Sequence, residues 1–335
     1  MALTYLQSLQ KGLKSLFESD PRVILLGEDV LDPYGGAFKV TTGLSTLYPD
    51  RVLTTPISEA AITGIGAGLA LRGNVPIIEI MFGDFLTLCA DQLVNHAAKF
   101  PLMYSNVLCP LIIRTPMGGG RGYGPTHSQS IEKMFFGLPG LKIIAPSHFH
   151  SPGRTLQKIV QAEQGPVIFI ESKLLYGERL QEASPGFVFD VVKDETGYET
   201  TIVQNFSVGE VDVALIAYGG ATRHLPNLLR ELAIDEIRVV AIFPECIDPF
   251  PQDLLVQYTA NPGRIVIVDE GHDGFNWATG VAACLYEKLW GRLQAPIRIV
   301  ASEREIIPTS HTQENEMLVT KEKIEAAILE VISWE

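Results

Sequence analysis

The chain has 335 residues, which indicates two domains, because single hydrophobic cores stop growing at about 250–300 residues. Hydrophobic residues make up 46% of the chain and charged residues 19%, a composition typical of an ordered globular protein. The net charge of −13 argues against nucleic acid or an anionic membrane as the main partner. No apolar run approaches the roughly 20 residues that a membrane span requires.

Leucines and a phenylalanine recur at spacings of three and four between residues 3 and 17, which predicts an amphipathic helix. This pattern differs from the continuous apolar block of a signal peptide, and its lack of arginine makes it a poor mitochondrial presequence. The four cysteines match no metal or redox spacing, so we expect reduced thiols in a cytoplasmic protein.

Short, unbroken apolar runs predict parallel strands that are covered on both faces. In the first half they lie at residues 23–26, 75–78, 111–113, 143–145 and 167–170. After a stretch rich in acids, glycine and proline, further runs at 213–217, 239–243, 265–268 and 297–300 alternate with helices predicted near 222–232, 252–258, 277–289 and 321–332. The sequence therefore predicts two α/β domains, residues 1–190 and 207–335, joined by a linker at 191–206, in a stretch from 177 to 207 with room for a strand or two of its own.

The stretch 53–71 predicts an extended segment followed by a helix, with Ser58 placed to cap it and Glu59 in its first turn. Gly64, Gly66 and Gly68 would each cost a helix interior about 1 kcal/mol relative to alanine, so we expect another backbone pressed against this helix. Glu59 has two interpretations. Residue type alone favours an acid that stabilises the helix dipole, whereas a buried carboxylate would exchange a proton with a ligand.

The segment 118–130 combines many glycines, a cation and a histidine at the predicted carboxyl end of a strand, where ligands bind in open parallel sheets. It resembles a phosphate cradle only loosely, because it lacks the lysine and the Ser/Thr that close a P-loop. His127, held by polar neighbours, is the candidate for proton transfer near neutral pH, although a lone loop histidine more often has no catalytic role.

Several separated segments, in order from about residue 20 to about residue 290, together resemble one family. They lie at 27–30, 34–40, 54–60, 91–95, 97–99, 113–116, 127–130, 138–142 and 243–249. The chain resembles the beta subunit of the decarboxylating, thiamine-diphosphate-dependent component of 2-oxo-acid dehydrogenase complexes. The resemblance implies two doubly wound, mostly parallel-sheet α/β domains of the transketolase type, of which the first grips the cofactor's pyrimidine ring. It favours the proton-exchanging interpretation of Glu59.

The resemblance also implies roles for individual residues. Glu59 would hydrogen-bond the aminopyrimidine ring and activate the cofactor, Phe85 would stack on that ring, and the backbone of Ile57 would line the same pocket. His127 would face the thiazolium ring and handle protons or stabilise charge during decarboxylation and acyl transfer.

Further positions carry a weaker implication from the same resemblance. Glu28 and Asp91 match acidic positions near the buried ring. A structural potassium ion would be held by the backbone of Ile112, Val160, Glu163 and Gly165.

The Gly-Asp-Gly segment through which thiamine enzymes hold magnesium and the diphosphate does not occur in this sequence. The resemblance therefore implies a half-site completed by an alpha subunit, in an assembly of two alpha and two beta chains that passes the acyl group to a lipoyl-bearing acyltransferase core. The substrate would be a 2-oxo acid, with pyruvate, branched-chain and acetoin-type substrates all open. A self-sufficient transketolase-like enzyme and a non-catalytic scaffold or regulatory subunit are the alternatives. Residues 306–317 depart from the family pattern, which leaves dimer contacts and docking open.

Overall fold

The computed structural model describes residues 2–334, which form two α/β halves. The strands are β1 Val23–Gly27, β2 Val52–Thr54, β3 Val75–Glu79, β4 Ile112–Met117, β5 Lys142–Ile144, β6 Val167–Ser172, β7 Val188–Lys193, β8 Glu199–Gln204, β9 Val213–Ala217, β10 Val239–Pro244, β11 Cys246–Asp248, β12 Ile265–His272 and β13 Arg298–Ser302. The helices are α1 Tyr5–Ser19, α2 Leu44–Leu47, α3 Glu59–Leu71, α4 Leu86–Asp91, α5 Phe100–Met103, α6 Pro152–Ala162, α7 Leu225–Ile234, α8 Gln252–Thr259, α9 Trp277–Leu289, α10 His311–Met317 and α11 Lys321–Ile332.

The first sheet has the strand order β11-β5-β6-β4-β3-β1-β2. All of its pairings are parallel except the one between β11 and β5. Every residue of β3, β4 and β6 is buried, as expected for parallel strands with helices on both faces. The five strands predicted in the first half of the chain are thus confirmed, with small shifts at their ends.

The predicted amphipathic helix at the start of the chain is confirmed as α1. Thr4 and Gln7 form a reciprocal capping box at its N-terminus. Its buried face packs closely on α6, because Gly12 and Gly153 leave no room for a side chain between the two backbones.

The second sheet has the order β13-β12-β9-β10-β8-β7. The predicted strands and helices of this half are confirmed, and the segment predicted as a linker, 191–206, contains parts of two strands. Most of it belongs to β7 and β8, an antiparallel hairpin whose second strand pairs with β10. The hairpin joins the sheet because Tyr198, Ile202 and Val203 are buried.

The two halves share structure across their boundary. The strand β11 lies after β10 in the chain but pairs with β5, so it extends the first sheet from the second half. One hydrophobic cluster runs from Ile143 and Ala145 to Ile247 and Trp277 without interruption. The four cysteines are free thiols, three of them buried and Cys284 half-buried. Among residues 2–334, no helix is both long and apolar enough to cross a membrane.

Candidate active site

Glu59 is the first residue of α3, and its side chain is buried. Its backbone carbonyl accepts hydrogen bonds from Thr63 Oγ1 at 2.7 Å and from Cys89 Sγ at 3.8 Å, which fix the start of α3 against α4. Ser58 occupies the N-cap position, but its side chain makes no capping hydrogen bond. The prediction that Ser58 caps the helix is therefore wrong.

The three glycines of α3 were expected to lie against a second backbone, and their neighbours in the structure are different. A Cβ atom on Gly66 would lie 2.9 Å from Leu111 Cδ1, and one on Gly64 would lie 3.2 Å from Gln92 Oε1. A Cβ atom on Gly68 would meet nothing within 4 Å. Within the described part of the chain these neighbours are side chains, so the expectation of a second backbone pressed against α3 is wrong.

A second carboxyl group, that of Glu28, lies close to Glu59. Glu28 directly follows β1, and its Oε1 atom is buried without a hydrogen-bond partner among the described residues. Burial raises the pKa of Glu28, and the charges of Glu59 and Asp29 raise it further. The site therefore holds two neighbouring carboxyl groups, and the charge of one raises the pKa of the other.

Phe82 and Phe85, which follow β3, form an aromatic wall with His127, which follows β4. Phe85 ends a 3₁₀ turn, Gly83–Phe85, and its ring centroid lies 5.4 Å from that of His127 in an edge-to-face arrangement. The Phe82 ring lies 4.6 Å from the His127 ring and 6.0 Å from the Phe85 ring. The structure thus brings Phe85 and His127 together, although 42 residues separate them in the chain.

His127 is held by its neighbours on both its backbone and its ring. Lys173 Nζ donates a hydrogen bond to the His127 carbonyl, and His127 Nδ1 lies 2.9 Å from Thr126 Oγ1. Lys173 is fully buried, and this burial lowers its pKa to about 8. Asp84 Oδ1 accepts hydrogen bonds from the backbone N–H and the Nε2 group of Gln129, at 3.3 and 2.8 Å, and so anchors the chain after His127. The acid beside Phe85 thus positions the histidine segment.

Ile57 and Asp91 lie outside this buried cluster. The side chain of Ile57 is 83% exposed in the loop before α3. The side chain of Asp91 is 65% exposed and accepts hydrogen bonds from Asn95 Nδ2 at 2.8 Å and Gln92 Nε2 at 3.2 Å. In the described chain these contacts tie Asp91 to its own helical segment and not to Glu59.

The two segments assigned to a potassium ion lie side by side. Cys109 N–H donates to the Gln164 carbonyl and Val167 N–H donates to the Leu111 carbonyl, both at 2.8 Å. The side chain of Glu163 accepts hydrogen bonds from Lys142 Nζ and the Tyr198 hydroxyl, each at 2.8 Å. The structure therefore brings Ile112 close to residues 160–165. Among residues 2–334, no group of three or more His, Cys, Asp or Glu side chains is arranged to hold a metal ion.

A buried ion-pair network beneath the site was not predicted from the sequence. Arg114 makes a bidentate contact to Glu171, at 2.7 and 3.0 Å, and donates to Glu79 Oε2 at 3.0 Å. Tyr176 donates to Glu171 at 2.7 Å. A Cβ atom on Gly36 would lie 2.5 Å from Glu79 Oε1, so the segment 34–40 packs directly on the network. The only sequence signal is the position of Arg114 directly after a predicted buried strand, where a charged residue needs a partner.

Two family profiles match this chain in order along its length. Residues 1–179 match the transketolase pyrimidine-binding domain, and residues 205–324 match the transketolase C-terminal domain. The acetoin:2,6-dichlorophenolindophenol oxidoreductase subunit beta of Cupriavidus necator is 34% identical over 332 residues, which cover 96% of this chain and 94% of that protein. The 2-oxoisovalerate dehydrogenase subunit beta of Bacillus subtilis is 31% identical and covers 99% of both chains. The pyruvate dehydrogenase E1 component subunit beta of Leifsonia xyli is 35% identical over 90% of this chain and 86% of that protein.

This chain belongs to the transketolase-like beta-subunit family of 2-oxo-acid dehydrogenases. A solved split-gene transketolase, described as an inactive beta4 tetramer, has the same fold, with a TM-score of 0.73 over 99% of both chains at 18% identity. The transketolase fold class is therefore confirmed, and membership of the family implies dependence on thiamine diphosphate. The beta-subunit names of the relatives imply an alpha-subunit partner.

The residues present suit the pyrimidine half of that cofactor. The ring of Phe85 is half-buried and borders the site, and the buried Glu28 Oε1 has no partner among residues 2–334. A buried polar atom in that state is stabilised by a ligand that hydrogen-bonds it. Glu59 and Glu28 supply carboxyl groups, and Phe85 supplies a flat apolar surface of the kind on which a heteroaromatic ring stacks.

Proposed function

We propose that this chain is the beta subunit of a thiamine-diphosphate-dependent 2-oxo-acid dehydrogenase, which decarboxylates a 2-oxo acid and passes the acyl group to a lipoyl group. The single observation that carries the proposal is the buried Glu59 carboxyl, close enough to Glu28 for its charge to raise the pKa of Glu28. Cys89 Sγ lies 3.8 Å from the carbonyl oxygens of both Glu59 and Phe85, and the Phe85 ring packs against His127. When bound, thiamine diphosphate supplies the electron sink that decarboxylation of a 2-oxo acid requires.

Each residue of the site has a separate task in this proposal. Glu59 would hydrogen-bond the aminopyrimidine ring and activate the cofactor, while Phe85 and the backbone of Ile57 would hold the ring in place. Glu28, whose pKa is raised by burial and by the charge of Glu59, is assigned as the second acid of the pocket. His127 Nδ1 contacts Thr126, so we assign proton transfer during decarboxylation and acyl transfer to its Nε2 atom.

The remaining half of the cofactor site is assigned to an alpha subunit. The outer side of α3 and α4 exposes Ile65, Leu71 and Leu88, and Ile57 is exposed in the loop before α3. A Cβ atom on Gly68 of α3 would meet no atom of residues 2–334 within 4 Å. An apolar surface of this kind next to a cofactor site is typical of a subunit interface. The alpha subunit would hold magnesium and the diphosphate, in an assembly of two alpha and two beta chains that docks on a lipoyl-bearing acyltransferase core in the cytoplasm.

Two weaker assignments complete the proposal. Asp91 ends α4 on the same outer side, so it is assigned to the edge of the surface that binds the alpha subunit. It would lie near the cofactor only when the alpha subunit is bound. A potassium ion bound by the backbone of Ile112, Val160, Glu163 and Gly165 would stiffen the junction of β4 and α6, because a cation ties together carbonyl groups from two segments.

Calorimetry with thiamine diphosphate and magnesium tests the proposal. The titration is made on this chain alone, on an alpha-subunit candidate that carries a Gly-Asp-Gly segment, and on the mixture. We expect no binding by either chain alone and clear binding by the mixture. Glu59→Gln should weaken binding and lower turnover of the mixture by about 100-fold or more, because removal of a proton-transfer group typically costs 10²–10⁴-fold.

Glu322→Gln is the matched control, since Glu322 is an exposed glutamate in the first turn of α11. It should leave binding and turnover unchanged. Cofactor binding and 2-oxo acid decarboxylation by the lone chain would replace the half-site by a self-sufficient transketolase-like enzyme. A mixture that assembles but binds no cofactor would indicate a non-catalytic scaffold.

A further inference from the structure

The glycine-rich segment before His127 folds around a carboxylate from the other half of the chain. Gly120 N–H donates to Glu314 Oε1 and Gly122 N–H donates to Glu314 Oε2, both at 2.8 Å. Glu314 lies on α10, nearly 200 residues later in the sequence, and its side chain is fully buried. Both oxygens of one buried carboxylate are thus used to hold one loop.

Alternating glycines make this arrangement possible. Gly118, Gly120, Gly122 and Gly124 all have positive φ, between 68° and 92°, which L side chains rarely adopt. In this conformation the N–H groups of Gly120 and Gly122 both point to the Glu314 carboxylate, as in the backbone concavities that bind anions. The weak resemblance of this loop to a phosphate cradle therefore has a physical reason, because its anion is a side chain of the protein itself.

The loop also fits closely against the residues around α10. A Cβ atom on Gly124 would lie 2.6 Å from Thr309 Cγ2, and one on Gly119 would lie 2.8 Å from Leu318 Cδ1. These contacts fall in and beside the segment 306–317 that departs from the family pattern. That segment packs on the loop that carries His127.

On its other side the loop is bound to the first half of the chain. Arg121 Nη2 donates to the Lys173 carbonyl at 2.8 Å, and Lys173 Nζ donates to the His127 carbonyl. Displacement of residues 120–122 would therefore reach His127 through a short backbone segment and through Lys173.

We propose that Glu314 is a positioning residue that holds the loop 118–127 from the second domain and thereby sets the position of His127 at the active site. This inference rests on the proposed function only for the catalytic consequence. The loop anchor itself is a property of this chain alone and is tested on it.

Limited trypsin digestion of the full chain tests the anchor. Arg121 is exposed and lies between Gly120 and Gly122, whose N–H groups donate hydrogen bonds to Glu314. We expect cleavage after Arg121 to be about 10–100 times faster in Glu314→Ala than in the wild type, since hydrogen bonds to a charged group are lost. Glu314→Gln, which keeps one acceptor oxygen, should show an intermediate rate. Glu316→Ala, at an exposed position of the same helix, is the matched control and should match the wild type.

Kinetics of the reconstituted enzyme test the positioning role. With pyruvate or 2-oxoisovalerate as substrate and 2,6-dichlorophenolindophenol as acceptor, Glu314→Ala should lower kcat by about 10–100-fold, because small misplacements of a catalytic group cost rates of that order. The KM and the affinity for thiamine diphosphate should change less than twofold, since Glu59 and Phe85 lie outside the loop, and Glu314→Gln should recover part of the rate.

Each result has a distinct meaning. Wild-type protection at Arg121 in a folded Glu314→Ala chain, or faster cleavage with unchanged kcat, would overturn the inference. If Glu314→Ala does not fold, Glu314→Gln carries the same two tests. An inactive wild-type mixture would contradict the proposed function, while a cleavage difference between Glu314→Ala and Glu316→Ala would still establish the anchor.

Discussion

The carboxyl groups of Glu28 and Glu59 are close enough for the charge of Glu59 to raise the pKa of Glu28. Such an arrangement opposes folding, because burial disfavours a charge and two like charges disfavour each other. The buried Oε1 atom of Glu28, which has no hydrogen-bond partner among residues 2–334, adds a further cost. A residue that weakens the chain in this way is expected at a functional site, where stability is given up for chemistry.

Glu28→Gln separates stability from function at this site. The pKa of Glu28 is raised in the folded chain, so its contribution to stability is present at low pH and is lost as the pH rises through that pKa. A neutral glutamine escapes this loss, and we expect a Tm equal to or slightly above that of the wild type at pH 8, measured by calorimetric scanning. Turnover of the reconstituted enzyme should fall about 10-fold or more.

The control for this prediction is Glu287→Gln, at an exposed position on α9. It should change neither Tm nor turnover. A Glu28→Gln chain with a lower Tm and unaltered turnover would assign Glu28 a structural role.

Among the elements, α3 connects the buried site to the surface. Its inner side carries Glu59 and packs on the first sheet, while its outer side exposes Ile65. If that side receives the alpha subunit, a charge placed there is exposed in the lone chain and buried without a partner in the assembly. Burial of an unpaired charge is costly, whereas an exposed one is nearly neutral.

Ile65→Asp should therefore leave the Tm of the lone chain unchanged and weaken its association with the alpha subunit by about 100-fold, measured by analytical ultracentrifugation of the mixture. Ile234→Asp is the control, since Ile234 is an exposed isoleucine at the end of α7 in the second half. Equal loss of association in both variants, or none in Ile65→Asp, would place the alpha subunit elsewhere.

The sequence predicts those helices and strands whose pattern of apolar residues lies within the element itself. Continuous apolar runs identified the buried parallel strands, and α1, α9 and α11 were recognised from their helical patterns. The hairpin β7–β8 lies within the stretch predicted as a linker with a strand or two, because its place in a sheet depends on the pairing of β8 with β10, which is distant in the chain. β11 is three residues long, and its partner β5 lies about 100 residues earlier.

The residues of the site also divide into those that the sequence marks and those that act through partners distant in the chain. The resemblance to the family directed attention to Glu59, Phe85 and His127, and the structure brings Phe85 against His127. The sequence does not predict the roles of Arg114, Lys173 and Glu314, because each of them binds a partner that is distant in the chain. Their roles follow only from distances in the folded protein.

Across the whole molecule, buried ionisable groups lie where the two halves meet. The Tyr218 hydroxyl of the second half donates a hydrogen bond to Glu132 of the first half and lies 3.1 Å from Asp269 Oδ1 of its own half. Thr155 of α6 donates to Glu245 at 2.5 Å. His150 Nε2 contacts the carbonyl of Phe243 at 3.0 Å. The contact between the halves is therefore sensitive to protonation.

Two carboxyl groups and two histidines near this junction have shifted pKa values, and each shift makes the stability of the folded chain depend on pH. Burial, followed by the charge of Asp269, raises the pKa of Glu132, and burial raises the pKa of Glu245 to about 7. Between the ordinary carboxyl pKa and these values the folded chain binds more protons than the unfolded chain, so stability falls as the pH rises. Burial lowers the pKa of His148 to about 3 and of His150 to about 4, so stability also falls as the pH drops below the ordinary histidine pKa of 6.5.

We therefore expect the Tm of the lone chain to be highest at about pH 5–6 and to decrease on either side. In this range neither the ionisation of the buried carboxyl groups nor the protonation of the buried histidines is complete. Glu245→Gln should flatten the alkaline side, because it removes a group that costs up to about 1.4 kcal/mol for each pH unit between 4.5 and 7. Scanning calorimetry from pH 4 to pH 9 on the wild type, Glu245→Gln and the exposed control Glu322→Gln measures this. Parallel curves for all three chains would show that Glu245 does not titrate in this range, whereas a curve flattened only in Glu245→Gln would show that the junction between the halves loses stability because this buried carboxyl ionises.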